Sequence, residues 1–580
     1  MGSADVPGRR IPPRLWDARG RRRLSGPRGQ GALGDRAPAA WCAVPPCASR
    51  TGGCGGCMNS ASISVRAIAS LGGNVLRNVL SMFAGLLIAR GLGPSDYGNL
   101  TFLLGSFLAI RQLLDLGSSS AFYTLLSQQP RGRQFYLSYF GWMAAQFLVT
   151  VLVVAVLLPR PILDRLWLGH ARGLVVLACV ASFLQQHVWQ TVGQIGEAAR
   201  QTVRVQALNL AVGVLHVALL AVLLSRGWMG VPVVLGVYIV EYLVAAGWAY
   251  RLLRPGFQAA DRGAPARGAL RRMVNDYRAY CAPLVLYSFI GCAYEFGDRW
   301  MLQYFGGSAQ QGFYQLGYQC SSVSLIATAS VLKIFWKEIA ESDARQDRER
   351  VRRLYRKASR GLVMVGALLS GFLIPWSKAL LVLVFGRAYA AAWPVLAVMF
   401  LYPVAQALGQ ISGTMFLATG KTRTHVIVGT IFMVVSLPVS YLMQAPRDAL
   451  VPGLGLGSMG MALKMVVLGM IGANVMAWLI ARMRGWSYDW TYQLVGITAL
   501  VAMGFLAQQA VGVVWDVHGE GVGLVWPIAC SGMIYLAAAA GLIWTMPWLV
   551  GVEHAELTAM GRRLRGLLWP RRQAAEAWRA

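Results

Sequence analysis

The chain has 580 residues, 56% of them hydrophobic and only 13% charged, with a mean hydropathy of +0.50, against about 25% charged for a soluble globular chain. A formal net charge of +30 would suit nucleic acid, but no basic patch interleaved with aromatic residues lies on a polar segment, so nucleic acid is not expected as a partner. The composition is that of a polytopic membrane protein, and its loops are too short to hold a soluble catalytic domain.

Residues 1–57 differ from all that follows. They are rich in Gly, Pro, Ala and Arg, with ten Arg and no Lys, and cannot bury enough surface to order themselves. Disorder is expected here. A secretory signal needs an apolar core of about 7–15 residues, which this stretch lacks. Met58, followed by Asn59-Ser-Ala-Ser-Ile-Ser-Val-Arg66, is the expected natural start. Cys54 and Cys57 have the spacing of a zinc or redox pair, but no regular element would fix them together with Cys42 and Cys47, so no metal is expected. Cys179, Cys281, Cys292, Cys320 and Cys530 fall in apolar segments, where a free thiol is a small buried hydrophobe.

From Leu71 to Val550 apolar stretches alternate with short loops. About 20 apolar residues in a helix cross the hydrocarbon core of roughly 30 Å. Fourteen spans are expected, at 71–90, 99–119, 135–158, 173–193, 205–225, 230–250, 280–303, 310–334, 360–376, 391–418, 425–444, 455–481, 492–514 and 522–547. With the N-terminus inside, thirty-two Lys and Arg fall in inside loops and the tail, against eight in outside loops. That bias places both termini in the cytoplasm. The segments read as a first six-helix bundle (58–253), a basic linker (254–279), a second six-helix bundle (280–485), two further helices (486–550) and a basic tail (551–580). The charged run from Arg345 to Arg360 reads as a solvated helix face.

A charge at mid-bilayer costs about 2.5–3.5 kcal/mol, so charges inside spans mark functional candidates. In the first span Asn74, Arg77, Asn78 and Ser81 fall at i, i+3, i+4 and i+7, a polar stripe that must face the bundle interior or a wet cleft. In the second, Arg111 and Asp115 stand four apart and are placed to pair with each other. Glu241 lies in the sixth; Glu295, Asp298 and Arg299 in the seventh, the last two towards its outer end; Lys464, able to snorkel, in the twelfth. The candidate cations for an anionic substrate are Arg77, Arg111, Arg299 and Lys464, with Asn74 and Asn78 beside them. Arg is suited to phosphate because its planar fork donates two parallel hydrogen bonds. Asp115, Glu241, Glu295 and Asp298 are candidates for carrying a coupling ion.

Six crossings return the chain to its starting side, so a second set of six would repeat it in parallel. Gly93-Pro-Ser-Asp-Tyr-Gly98 follows the first span and Gly307-Ser-Ala-Gln-Gln-Gly312 the seventh, an offset of 214. Pro159 with Leu166-Trp-Leu-Gly169 and Pro375 with Val384-Phe-Gly386 repeat at 216 to 217. The expected fold is therefore all-α, with two six-helix bundles related by a pseudo-two-fold axis and two extra C-terminal helices.

Ala89-Arg-Gly-Leu-Gly-Pro-Ser-Asp-Tyr-Gly98 and Leu113-Leu-Asp-Leu-Gly117 resemble the opening of the bacterial polysaccharide-biosynthesis flippases. These are the O-antigen and exopolysaccharide type exporters of the multidrug/oligosaccharidyl-lipid/polysaccharide superfamily. Asp298-Arg-Trp-Met-Leu302 and Gly312-Phe-Tyr-Gln-Leu-Gly-Tyr318 resemble that family's second half. The resemblance, over roughly 66–485, implies a carrier of polyprenyl-diphosphate-linked oligosaccharide in the inner membrane, with glycan polymerase and assembly machinery as partners and no cofactor. Fourteen spans exceed the twelve common in that branch.

A multidrug or cation antiporter of the same superfamily is the nearest alternative; it would want carboxylates to dominate the cleft, where the first span presents Arg77. A membrane glycan polymerase, ligase or glycosyltransferase would want a sizeable outside loop or an Asp-x-Asp motif, and neither is found. Gly413 to Gly420-Lys421-Thr422 mimics a phosphate-binding loop, but six residues intervene instead of four and no strand precedes it. Neither an enzyme nor a metal site is expected.

Overall fold

The computed structural model describes residues 58–128, 131–199, 201–259, 269–322, 325–516 and 522–559. The extension 1–57, with its four cysteines, and the tail from 560 lie outside them. Among the described residues every regular element is helical. α1 (Met58–Asp115) is one stretch broken at Gly93, where φ of 73° and ψ of 173° leave the helical region. Pro94 follows, and a proline disfavours helical geometry in the residue before it. α2 (Ser118–Gln128) begins after a second break, at Leu116 and Gly117, both with positive φ.

The first half continues with α3 (Arg133–Leu152), extended by a π-helical turn through Leu157, then α4 (Arg160–Leu166), α5 (Arg172–Ser182) and α6 (Trp189–Ala198). A π-helical turn, Phe183–Val188, joins α5 to α6. α7 (Thr202–Ser225) and α8 (Val231–Ala259) complete it. α9 (Ala269–Cys281), in the second part of the expected linker, is a helix; its Met273 and Tyr277 pack on Phe122, Phe135 and Tyr139 of the first half.

The second half runs through α10 (Val285–Met301), α11 (Ser308–Ser322), α12 (Leu325–Ala344), α13 (Arg348–Leu373), α14 (Ser377–Phe385), α15 (Trp393–Met399), α16 (Tyr402–Ala418), α17 (Thr422–Gln444) and α18 (Gly457–Arg484). α19 (Thr491–Gly512) and α20 (Val525–Thr545) close the chain.

By length and composition, nine helices among the described residues can cross a membrane, or ten if the bent pair α13–α14 is one span. The expected spans 173–193 and 280–303 are helical but fall outside that set, because each carries polar groups: Gln185, Gln186 and His187; Glu295, Asp298 and Arg299. These helices spend their polarity inward. The outward surface is apolar: Val240 is 63% exposed while its neighbour Glu241 is 4% exposed. One turn of α8 thus faces lipid with one side chain and the interior with the next.

The sequence repeat reappears as geometry. Gly93 and Gly307 share one conformation (φ 73° and 81°, ψ 173° and 174°), available to glycine because it has no Cβ. The repeated loops also touch. A Cβ on Gly98 would stand 1.8 Å from the Ser308 carbonyl oxygen, and one on Gly312 would stand 2.3 Å from that of Pro94. Two halves meet here backbone to backbone, as small residues allow in membrane helices. The Tyr389 hydroxyl donates to the Ala89 carbonyl at 2.9 Å, and Gln303 donates to Asn99 at 2.9 Å. These contacts bind the halves at the end opposite the Arg- and Lys-rich loops; those loops form the basic face.

α19 and α20 pack on α13. The Gly504 Cα position lies so close to α13 that a Cβ would fall 1.9 Å from the Gly371 carbonyl oxygen, and the Tyr535 hydroxyl donates to Leu368 O at 2.8 Å. At the basic face, buried Arg360 donates to the Trp548 carbonyl at 2.6 Å, pairs with Asp489 and lies 4.9 Å from the Tyr492 ring centre. The added pair is therefore fixed to the outside of the second half rather than inserted between the halves.

Candidate functional site

Two cavities of nearly equal size open inside the helices. The first, about 550 Å³, belongs mainly to the first half. Arg77, Asn78 and Ser81 line it from α1; Asn74, one turn earlier, does not. Gln185, Gln186 and Trp189 come from the π-helical turn and α6, Asn209 and His216 from α7, Tyr238 and Tyr242 from α8. α11 of the second half adds Gln315, Tyr318 and Gln319. The Tyr97 hydroxyl donates to Gln319 Oε1 at 2.8 Å across the two halves, and Trp189 Nε1 donates to Asn209 at 2.9 Å.

Arg77 is exposed to this space and makes no ion pair among the described residues. It lies sixteen residues before the Gly93 break, about 24 Å along the helix at 1.5 Å per residue, and so on the basic-face side of the cavity. Three of the four residues of the expected stripe, Arg77, Asn78 and Ser81, thus line an interior cavity. Glu241 lies just behind the wall: His216 Nδ1 is 2.6 Å from its Oε2, and His216 stacks on Tyr238 at 4.9 Å between ring centres. The other carboxylate oxygen of Glu241 has no hydrogen-bond partner among the described residues. Glu241 is a candidate from the sequence; His216 is not among the expected site residues, its signal in the sequence being an imidazole inside a largely apolar span.

The second cavity, about 540 Å³, lies within the second half, lined by Tyr294, Tyr402, Gln406, Gln410, Thr414, His425 and Lys464 among others. Lys464 does not snorkel. Its ammonium is buried, ion-paired with Asp298 and hydrogen-bonded to the Ser440 hydroxyl at 3.0 Å, and it lies 5.2 Å from the Tyr294 ring centre. Asp298 on α10, Ser440 on α17 and Lys464 on α18 thus tie three helices together. A buried pair of this kind holds its charges only because each satisfies the other.

The remaining candidates are engaged elsewhere. Arg111 and Asp115 do not pair: the chain breaks at Leu116 and Gly117, and Asp115 instead accepts hydrogen bonds from Ser118 and Ser119 at the start of α2, with His187 Nε2 at 3.7 Å. Arg111 donates to Gln190 at 2.7 Å. Arg299 donates to the Glu295 carbonyl at 3.1 Å, with the Glu295 carboxylate at 3.4 Å, and lies across Gly105 of α1, where a Cβ would stand 2.5 Å from its Nε. It packs between the halves and lines neither cavity. The four cations therefore do not gather in one vestibule; Arg77 alone faces the first cavity and Lys464 alone the second. Among the described residues no cluster of three or more His, Cys, Asp or Glu could hold a metal ion.

Residues 66–335 match the family model described as "Polysaccharide biosynthesis protein", the family that the motifs around Gly93 and Gly312 resemble. No curated protein matches the chain in sequence. Among solved structures, a lipid II flippase, MurJ, in an inward closed conformation is similar at 12% identity and a TM-score of 0.61, over 83% of this chain and 98% of that one. The inward-facing structure of a multidrug-resistance MATE transporter of the MOP superfamily is similar at 16% identity and a TM-score of 0.53, over 73% and 95%. At these identities the likeness is one of fold: an all-α, multi-pass membrane fold shared with transporters.

Proposed function

We propose, on the premise that residues 66–335 are of the polysaccharide-biosynthesis family, that this chain is a flippase. Its cargo on this reading is an oligosaccharide on a polyprenyl diphosphate, moved across the cytoplasmic membrane for surface polysaccharide synthesis. The observation that carries the reading is Arg77: a guanidinium without an ion pair among the described residues, on the wall of a cavity of about 550 Å³ beside amides and aromatic rings. An unpaired sugar hydroxyl costs about 2–7 kcal/mol in an apolar medium, and a diphosphate far more. Amides and tyrosines supply partners for hydroxyls, rings supply faces for sugars, and the Arg fork meets phosphate.

On this reading the basic face and both termini lie in the cytoplasm, which the charge bias of the loops supports. The halves are then joined at the periplasmic end, through Gly98 and Gly312, and the cargo is taken up from the cytoplasmic leaflet. Rocking of the two bundles, 58–253 and 280–485, exposes the cavity alternately.

Of the carboxylates proposed for ion coupling, Asp298 is paired with Lys464, Glu295 stands beside Arg299, and Asp115 is held by the hydroxyls of Ser118 and Ser119. Glu241, paired with an imidazole at the cavity wall, is the one placed to exchange a proton as the cavity changes sides. That carboxylate also favours the second reading, a cation antiporter of the same superfamily, which would use Glu241 to bind its substrate.

The test is export of lipid-linked glycan in cells carrying Arg77→Ala, with membrane abundance measured beside it. Loss of surface polysaccharide at normal abundance is expected, with partial function in Arg77→Lys, which keeps the charge and loses the fork. Normal surface polysaccharide in Arg77→Ala removes Arg77 from the mechanism.

A further inference from the structure

At the basic face of the second half, three interhelical links enclose another polar cavity, about 480 Å³. Arg348 reaches it from the link between α12 and α13, Thr419 and Lys421 from that between α16 and α17, and Arg484 with Trp486 from the end of α18. Asp343 also lines it and holds Arg484 through an ion pair of 2.8 Å. Arg348 and Lys421 make no ion pair among the described residues. Three cations thus face one carboxylate, which is already taken. Gln346, with φ of 59°, closes the turn that brings Asp343 and Arg348 to the same wall.

This arrangement goes beyond a solvated charged run. Only Arg348 comes from the run 345–360; the other cations come from sequence 73 and 136 residues further on, and they meet at a concave site. Its position is also specific. Thr419 and Lys421 lie between Leu417 and His425, both of which line the larger cavity of the second half.

We propose that this cavity is a phosphate-binding site, separate from the Arg77 cavity. Two unpaired cations from different links, with a third oriented by its carboxylate, suit the several oxygens of a phosphate group. The Arg348 fork can take two of them at once and Lys421 adds a point charge. The phosphate is either that of a soluble phosphate compound or that of an anionic lipid headgroup reaching the site from the adjacent leaflet.

The experiment titrates inorganic pyrophosphate into the full chain held in nanodiscs of phosphatidylcholine, and repeats the titration in discs that include phosphatidylglycerol. Saturable binding is expected in the first discs, weakening as salt is raised. The double variant Arg348→Ala, Lys421→Ala should bind about tenfold more weakly or worse, since hydrogen bonds to charged groups contribute on that scale. Arg352→Ala, an exposed arginine of α13 outside the cavity, should bind as the parent does. If phosphatidylglycerol displaces pyrophosphate from the parent, a lipid headgroup is the occupant; if it does not, a soluble phosphate is. Absence of saturable pyrophosphate binding in phosphatidylcholine discs, or equal binding by parent and double variant, overturns the proposal and leaves the Arg77 reading untouched.

Discussion

The two large cavities differ little in volume, about 550 against 540 Å³, and each presents one basic side chain on its wall. What separates them is the partner of that side chain. Arg77 faces open space with amides and rings around it, whereas Lys464 is neutralised by Asp298 and held by Ser440. An intramembrane charge is therefore not one kind of feature. Beside a cavity and without an ion pair among the described residues, as at Arg77, it is proposed to meet a ligand; paired across three helices, as at Lys464, it ties them together.

Substitution separates the two roles most widely in stability. Lys464→Met leaves the Asp298 carboxylate buried without its counter-charge and should cost about 3–5 kcal/mol, read as a lowered midpoint of thermal unfolding. Adding Asp298→Leu should recover most of the loss, because replacing both partners of a buried pair with apolar groups is close to neutral. Arg77→Met, at an exposed unpaired residue, should shift stability by no more than about 0.5 kcal/mol. Equal destabilisation by both variants would erase the contrast.

A second contrast concerns protons. Glu241→Gln keeps a hydrogen-bonding side chain beside His216 but cannot exchange a proton, so transport should lose its dependence on a proton gradient. Flux measured with and without that gradient in reconstituted vesicles decides this; an unchanged dependence in Glu241→Gln moves coupling elsewhere.

The smallest effect is expected outside the bilayer, where Asp489 meets Arg360. Burial pushes this carboxyl up, but hydrogen bonds from Thr491 and the guanidiniums of Arg360 and Arg356 outweigh it and hold it below the usual carboxylate range. A depressed folded-state value contributes stability that is present above the ordinary carboxylate pKa of about 3.9 and is lost as pH falls through the lower folded value. Asp489→Asn should remove that acid sensitivity and loosen α19 and α20 slightly, visible as faster proteolysis after residue 485. Unchanged proteolysis in acid and in Asp489→Asn would show that the glycine contacts with α13 suffice.

Local pattern made much of this legible in the sequence. The stripe Asn74, Arg77, Asn78 and Ser81 follows from helical spacing alone, though only the last three line the cavity, and the repeat of Gly93 at Gly307 needed only two matching loops. Non-local pairing was not legible. Asp298 and Lys464 stand 166 residues apart, and nothing in either span names the other. Arg111 and Asp115 show the converse error: spacing of four predicts a pair, yet a break one residue later gives Asp115 to the next helix. α9 was read as linker because its charges hide an apolar face, Met273 and Tyr277, that packs on the first half.

The most direct measurement is translocation by the purified chain in liposomes, with a polyprenyl-diphosphate oligosaccharide labelled on its glycan and placed in one leaflet. Transfer to the other leaflet is expected from the parent, little from Arg77→Ala and an intermediate rate from Arg77→Lys. Transfer by Arg77→Ala at the parental rate, or transport of an organic cation with none of the glycolipid, would contradict it.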